Sequence, residues 1–151
     1  MNNNRSFLNV VFIAAGSLLL VSCHWIQAGD RVCFEKNCVN VEVVSTPEAM
    51  RKGLQGQTTL GANAGMLFVF AKPDRQLFWM KETLIPLDII WMNQERRIVH
   101  IRPNAQPCRA EPCETFGSVS RDAIYVLEVN AGYCAKHGLK KGNQAEFRLK
   151  K

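Results

Sequence analysis

Gly65-Met66-Leu67-Phe68-Val69-Phe70, Leu77-Phe78-Trp79-Met80-Lys81 and Leu87-Asp88-Ile89-Ile90-Trp91-Met92 are three short apolar runs set apart by turn-forming residues. Each run is too short for an ordinary helix and rich in aromatic and branched side chains, so each reads as a β-strand. Pro73 and Asp74 supply a turn between the first two. Beyond residue 92, Asn93 to Arg96 resembles a hairpin loop leading into a strand at 98–101, and a further strand is expected at 124–129. Upstream, Val39, Val41 and Val43 alternate with Asn40 and Glu42, the period-two pattern of a half-buried strand.

Helices are few. Thr46 and Pro47 form an N-cap and first helical residue, Glu48 suits the positive end of the helix dipole, and the helix should run to about Lys52 or Leu54, ending near Gly53 or Gly56. A second short helix is expected after Asn130 as its cap, running to His137 and ended by Gly138, with a last strand at 145–149. About seven strands against two or three short helices define a β-rich α+β domain. The expected architecture is a mainly antiparallel curled sheet, barrel-like or a sandwich.

The 151-residue chain begins with a processing signal. Arg5 precedes an apolar stretch from Phe7 to Val21, and Ser22 stands before Cys23, which is the layout of a signal peptide over residues 1–22. Leu20-Val21-Ser22-Cys23 resembles the bacterial lipobox, which implies cleavage before Cys23 and lipid attachment to it. The apolar stretch is shorter than the roughly 20 residues that span a bilayer. His24 in place of Asp after the lipid-bearing Cys favours the outer membrane, facing the periplasm. Residues 23–38 are then a tether and N-terminal segment, and residues 39–151 a single globular domain of the bacterial cell envelope. The expected partner is the lipid membrane, reached through the Cys23 anchor.

The chain carries 19 Lys and Arg against 13 Asp and Glu, and loss of Arg5 with the leader leaves 18 against 13. Basic side chains are dispersed over Arg51, Lys52, Arg96, Arg97, Lys140, Lys141, Lys150 and Lys151, without the dense block or interleaved aromatics of a nucleic-acid groove. No nucleic-acid partner is expected.

With Cys23 reserved for lipid, four of the remaining five cysteines fall into two equal spacings, Cys33 with Cys38 and Cys108 with Cys113. In an oxidising compartment these read as two local disulfides. No histidine follows either pair closely, so neither a zinc site nor any other metal site is expected. Cys134 is left over, and His137 three residues later suggests a thiol–imidazole pair, although a buried structural thiol is the commoner arrangement. Nucleophile elbow, zincin helix and phosphate loop are all missing, Ser118 and Ser120 have no triad spacing to His100 or His137, and no cofactor is expected.

The blocks Gly65 to Phe70, Phe78-Trp79-Met80-Lys81-Glu82-Thr83 running on through Ile85-Pro86-Leu87-Asp88-Ile89-Ile90, and Tyr125 to Val129 with Ala131-Gly132 together resemble the domain of unknown function family 192. Gly138-Leu139-Lys140-Lys141-Gly142 matches its closing turn, and the likeness covers about residues 39–149. It departs from the commoner pattern at Gln57 and Glu82. The resemblance implies one β-rich α+β domain of unassigned biochemical role, found in exported bacterial proteins and in archaea, and carries over no catalytic residue.

Read as chemistry, Trp79 to Asp88 combines an aromatic surface, opposite charges on Lys81 and Asp88, and the hydroxyl of Thr83. Glu128 places a carboxylate inside an otherwise apolar strand. Trp79, Lys81, Thr83, Asp88 and Glu128 are the candidate binding residues for a small polar or carbohydrate ligand, or for an envelope-protein partner. A membrane-tethered binding or assembly module is the first expectation. The alternatives are a small hydrolase using Asp88 and Glu128 as acid and base, and a purely structural envelope protein.

Overall fold

The computed structural model describes residues 29–150; the expected signal peptide at 1–22 and the lipidation residue Cys23 lie outside them. In chain order the elements are β1 (Arg31–Phe34), β2 (Asn37–Val44), α1 (Pro47–Lys52), β3 (Ala64–Asp74), β4 (Phe78–Trp79), β5 (Leu87–Met92), β6 (Ile98–Ala105), β7 (Thr115–Phe116), β8 (Ala123–Asn130), α2 (Tyr133–Lys136) and β9 (Glu146–Arg148). Seven strands form one sheet in the order β6-β5-β8-β3-β2-β1-β9, and β4 pairs with β7 in a small second sheet.

The large sheet curls into a half-barrel. Its two edges approach at one end, where Ala145 N–H donates to Arg96 O at 3.0 Å and Ile98 N–H donates to Asn143 O at 2.9 Å. It is also mixed: mainly antiparallel, with one parallel pair. β2 and β3 run parallel, from Asn40 opposite Ala64 to Val44 opposite Phe68, while the other pairs are antiparallel. The reason is the connection: α1 and residues 53–63 carry the chain back along the sheet, so β3 starts at the same end as β2.

β5 lies between β6 and β8 and is buried along its whole length, hence its unbroken apolar texture. Both faces of the sheet are packed. One face gathers Val32, Val39, Leu67, Ile90, Met92, Leu127 and Val129 under α2. The other gathers Met66, Phe68, Leu87, Ile89, Trp91 and Val126 beneath α1 and the β4–β7 pair.

Local signals in the sequence act as expected at α1. Thr46 Oγ1 accepts from Ala49 N–H at 3.3 Å, Pro47 opens the helix, and Gly53 closes it with a positive φ of 47°. Four readings need correction. The turn expected at Pro73 and Asp74 is instead the end of β3, which runs on to Asp74 past a register shift after Val69. The tether expected to run to residue 38 already contains β1, which forms a hairpin with β2, its turn made by Glu35 at φ 53° and Lys36. The strand expected at 77–81 shrinks to the two residues of β4. Asn130 does not cap α2, because its side chain donates instead to Leu60 O and Gly61 O at 3.1 and 2.9 Å.

Both expected disulfides are formed, and Cys134 is free and buried. Cys33 and Cys38 are directly opposed in the β1–β2 ladder, so the bond staples a hairpin that the backbone already closes. Each ring is short. Cys108→Ser with Cys113→Ser should therefore cost about 2 kcal/mol or less in a denaturant titration, and a much larger loss would give that loop a part in holding the core.

At Gly65 close approach of the neighbouring backbone decides the residue. A methyl there would lie 2.5 Å from Glu128 O and 3.0 to 3.1 Å from side-chain carbons of Val39 and Val129. Gly65→Ala must spread β3 from β8, and a destabilisation of about 1–3 kcal/mol is expected by chemical denaturation.

Candidate functional site: a pocket floored by Glu128

Three segments meet over the outer face of β8. The turn that ends α1 contributes Met50, Gly53, Leu54 and Gln55; β3 and β4 contribute Phe68, Phe78 and Trp79; the turn after β4 contributes Lys81 and Thr83. These segments are tied together by backbone, since Gly56 N–H donates to Glu82 O at 2.9 Å and Thr83 N–H donates to Met80 O at 3.2 Å. Between them lies a narrow pocket of about 30 Å³, lined by Glu128 from β8. That volume is room for a water or two.

Glu128 faces the pocket because of strand alternation. It stands opposite Met66 on β3 and Ile89 on β5, and those residues belong to the outer core with Trp91 and Val126. The residue is only 5% exposed, and among the described residues its carboxyl has neither a hydrogen-bond partner nor a counter-ion. Burial alone pushes its pKa up to about 8. Near neutral pH the group is therefore largely a carboxylic acid, able to donate one hydrogen bond and to accept others.

The rim is polar and aromatic. Lys81 Nζ lies 5.6 Å from the centre of the Trp79 ring and 2.8 Å from Glu111 Oε1 on the loop closed by the Cys108–Cys113 bond. The hydrogen bond with Glu111 raises the Lys81 pKa and lowers that of Glu111, so both remain charged. Trp79 is 45% exposed and offers an open aromatic face, while Phe68 and Phe78 meet edge to face at 4.9 Å behind it. Thr83 is buried at the pocket wall. Trp91, in contrast, is wholly buried in the core, with its indole N–H donating to Gln76 O at 2.8 Å.

Asp88 is elsewhere. It stands opposite Val129, one residue out of phase with Glu128, so the two carboxylates point to opposite faces of the sheet. Asp88 Oδ1 accepts from Asn104 N–H at 2.8 Å and Gly132 N–H at 3.1 Å, and Oδ2 accepts from Cys134 N–H at 2.8 Å. It thus supplies the cap that α2 lacks, since Gly132 at the N-cap position has no side chain to offer. It also satisfies a donor freed where the β5–β6 register slips between Leu87 and Ile89. Lys81 and Asp88, set apart in this way, do not form the pair that their opposite charges suggested.

The Cys134–His137 pair is likewise not a reactive one. Cys134 is buried beside Asp88, and burial first, then the Asp88 charge, drives its thiol pKa far up. The His137 ring packs against Tyr133 at 4.3 Å. Ser118 Oγ and Ser120 Oγ contact each other at 3.0 Å, and Arg121 pairs with Asp74.

Of the five candidate binding residues, Trp79, Lys81, Thr83 and Glu128 line one pocket and Asp88 does not. Sequence reasoning missed the pocket's other side, the α1 turn with Met50 and Leu54, because nothing local to residues 50–55 marks them as neighbours of residue 128. It also missed Glu111, whose pairing with Lys81 depends on a loop that crosses from β6.

A β-rich α+β domain with a curled mixed sheet and an acid-floored pocket is thus the class defined by fold and site. The chain belongs to the DUF192 family, described as Uncharacterized ACR, whose model matches residues 25–147. Among solved structures it is similar to a protein of unknown function from Novosphingobium aromaticivorans, at 32% identity and a TM-score of 0.69, covering 82% of this chain and 89% of that one. It is also similar to a protein from Sinorhizobium meliloti named as a proposed transcription regulator, at 30% identity and a TM-score of 0.67, covering 78% of this chain and 91% of that one. No curated protein matches the chain.

Proposed function

We propose that this protein is a lipid-anchored module of the bacterial envelope that binds a small polar or carbohydrate ligand through the Glu128 pocket. The observation that carries this reading is the unpartnered, buried Glu128 carboxyl lining a pocket whose rim holds Lys81 and the open face of Trp79. A buried polar group without a partner costs stability, and such groups concentrate where a ligand supplies the missing bond. Trp79 adds the stacking surface that sugars use. The pocket is small, so one functional group enters and the rest of the ligand lies across the rim.

Two alternatives fare worse. A hydrolase needs Asp88 and Glu128 on one side of a substrate, and the alternation of β5 and β8 separates them. A transcription regulator, the description attached to the Sinorhizobium protein, needs an element to enter a DNA groove. Here α1 has six residues and α2 four, and they pack against different cores.

The test is an NMR titration of the whole chain in detergent with envelope glycans. Shifts confined to Trp79, Lys81, Thr83 and the α1 turn, lost in Glu128→Gln, are expected; binding elsewhere, or none, overturns the site. The anchor is tested separately. Cys23→Ser should abolish lipid labelling and move the protein out of the membrane fraction, and unchanged fractionation would remove the lipobox from the account. Among the described residues no helix is long and apolar enough to cross a membrane.

A further inference from the structure

Resting on the reading of this pocket as a binding site, we propose that the group it admits is a primary ammonium, carried by an amino sugar or by an amine-bearing peptide side chain. Four observations converge on this chemistry. The floor is the carboxyl of Glu128, a residue only 5% exposed, to which the protein itself supplies neither donor nor cation among the described residues. The walls include Phe68, Phe78 and Trp79, and aromatic faces beside a carboxylate are the surroundings that stabilise a desolvated ammonium. The volume of about 30 Å³ takes an ammonium and little beyond the carbon that bears it. The Thr83 side chain at the wall adds a hydroxyl oxygen able to accept one of the ammonium hydrogens.

The charged groups around the pocket set its selectivity. From α1 come Arg51 and Lys52, both exposed; from the turn after β4 come Lys81, paired with Glu111, and Glu82; β3 and β5 present apolar Met66, Phe68 and Ile89 to Glu128. Arg51 and Lys52 at the mouth oppose the entry of any cation and oppose a diamine more than a monoamine of the same length, so the ammonium must gain more from Glu128 and the aromatic walls than it loses there, and the monoamine should bind in preference. Entry of the ammonium converts Glu128 to its carboxylate, and the carboxyl proton is released to solvent.

The experiment is calorimetric titration of the whole chain in detergent with methylamine, glucosamine, N-acetylglucosamine and Nα-acetyl-lysine from pH 6 to 9. Because Glu128 must lose its proton, affinity for methylamine and Nα-acetyl-lysine, whose amines stay protonated over this range, should rise about tenfold per pH unit below pH 8 and then level off, whereas glucosamine, whose more acidic ammonium is itself lost in this range, should pass through a maximum. N-acetylglucosamine, whose nitrogen carries no charge, should not bind. Glu128→Gln should weaken the amines by at least about 30-fold and flatten the pH dependence. Tighter binding of glucosamine than of Nα-acetyl-lysine assigns the amine to a glycan, and the reverse assigns it to a peptide. N-acetylglucosamine binding as well as glucosamine, with no pH dependence, overturns the ammonium while leaving the pocket a glycan site. No binding by any of the four overturns both readings.

Discussion

Asp88→Ala is expected to cost about 4 kcal/mol or more and to leave the domain at best marginally folded. The carboxylate accepts three backbone N–H groups, from Asn104, Gly132 and Cys134, in a setting where Asp88 itself is 1% exposed. Each donor left unsatisfied and buried costs about 1–3 kcal/mol, and hydrogen bonds to a charged acceptor lie at the upper end. Asp88→Asn keeps one oxygen, enough for the Asn104 and Gly132 bonds, but turns an amide donor toward Cys134 N–H; about 2 kcal/mol is expected. Lys81→Ala should change stability far less than either Asp88 variant, because its pair with Glu111 is solvent-exposed. Denaturant midpoints of the three variants check the ordering, and hydrogen exchange should show α2 losing protection first in Asp88→Asn. An Asp88→Ala protein within about 1 kcal/mol of the parent would show that water replaces the latch.

The contrast between Asp88 and Glu128 shows where sequence reading ends. The apolar runs Tyr125 to Val129 and Leu87 to Met92 located both carboxylates on strands, and the Thr46-Pro47 cap fixed where α1 begins and the following glycines roughly where it ends, because those signals are local. Which face each carboxylate takes depends on the register of β5 against β8, a contact between residues about 40 positions apart that no periodicity encodes. The same holds for the parallel β2–β3 pair, decided by how α1 packs on the sheet. β1 escaped notice because four residues beside a disulfide ring and a charged turn have too little pattern to be told from a tether. The Trp79 to Asp88 segment was chemically conspicuous, yet it splits: its first half frames a pocket, and its last residue holds the other side of the sheet together.

Glu128→Gln is expected to stabilise the protein at pH 8 by about 3–4 kcal/mol and to remove a pH dependence that the parent carries. The reasoning follows the proton. With a pKa of about 8 in the fold against an ordinary value of 4.5, the carboxyl keeps in the native state a proton that the unfolded chain has released. Its contribution to stability is therefore complete below about pH 4.5 and is lost as pH rises through 8, at about 1.4 kcal/mol per unit in between. His100 acts in the opposite sense: burial first, then Lys141 and Arg102, lowers its pKa below 6.5, so its contribution grows as pH climbs through that range. The quantity to measure is accordingly the difference between parent and Glu128→Gln, by urea titration at pH 5, 6, 7 and 8. That difference should widen steadily in favour of the glutamine variant. Parallel curves would mean that Glu128 finds a partner or solvent in the free protein, and the pocket would then lose the unsatisfied acid on which its ligand chemistry rests.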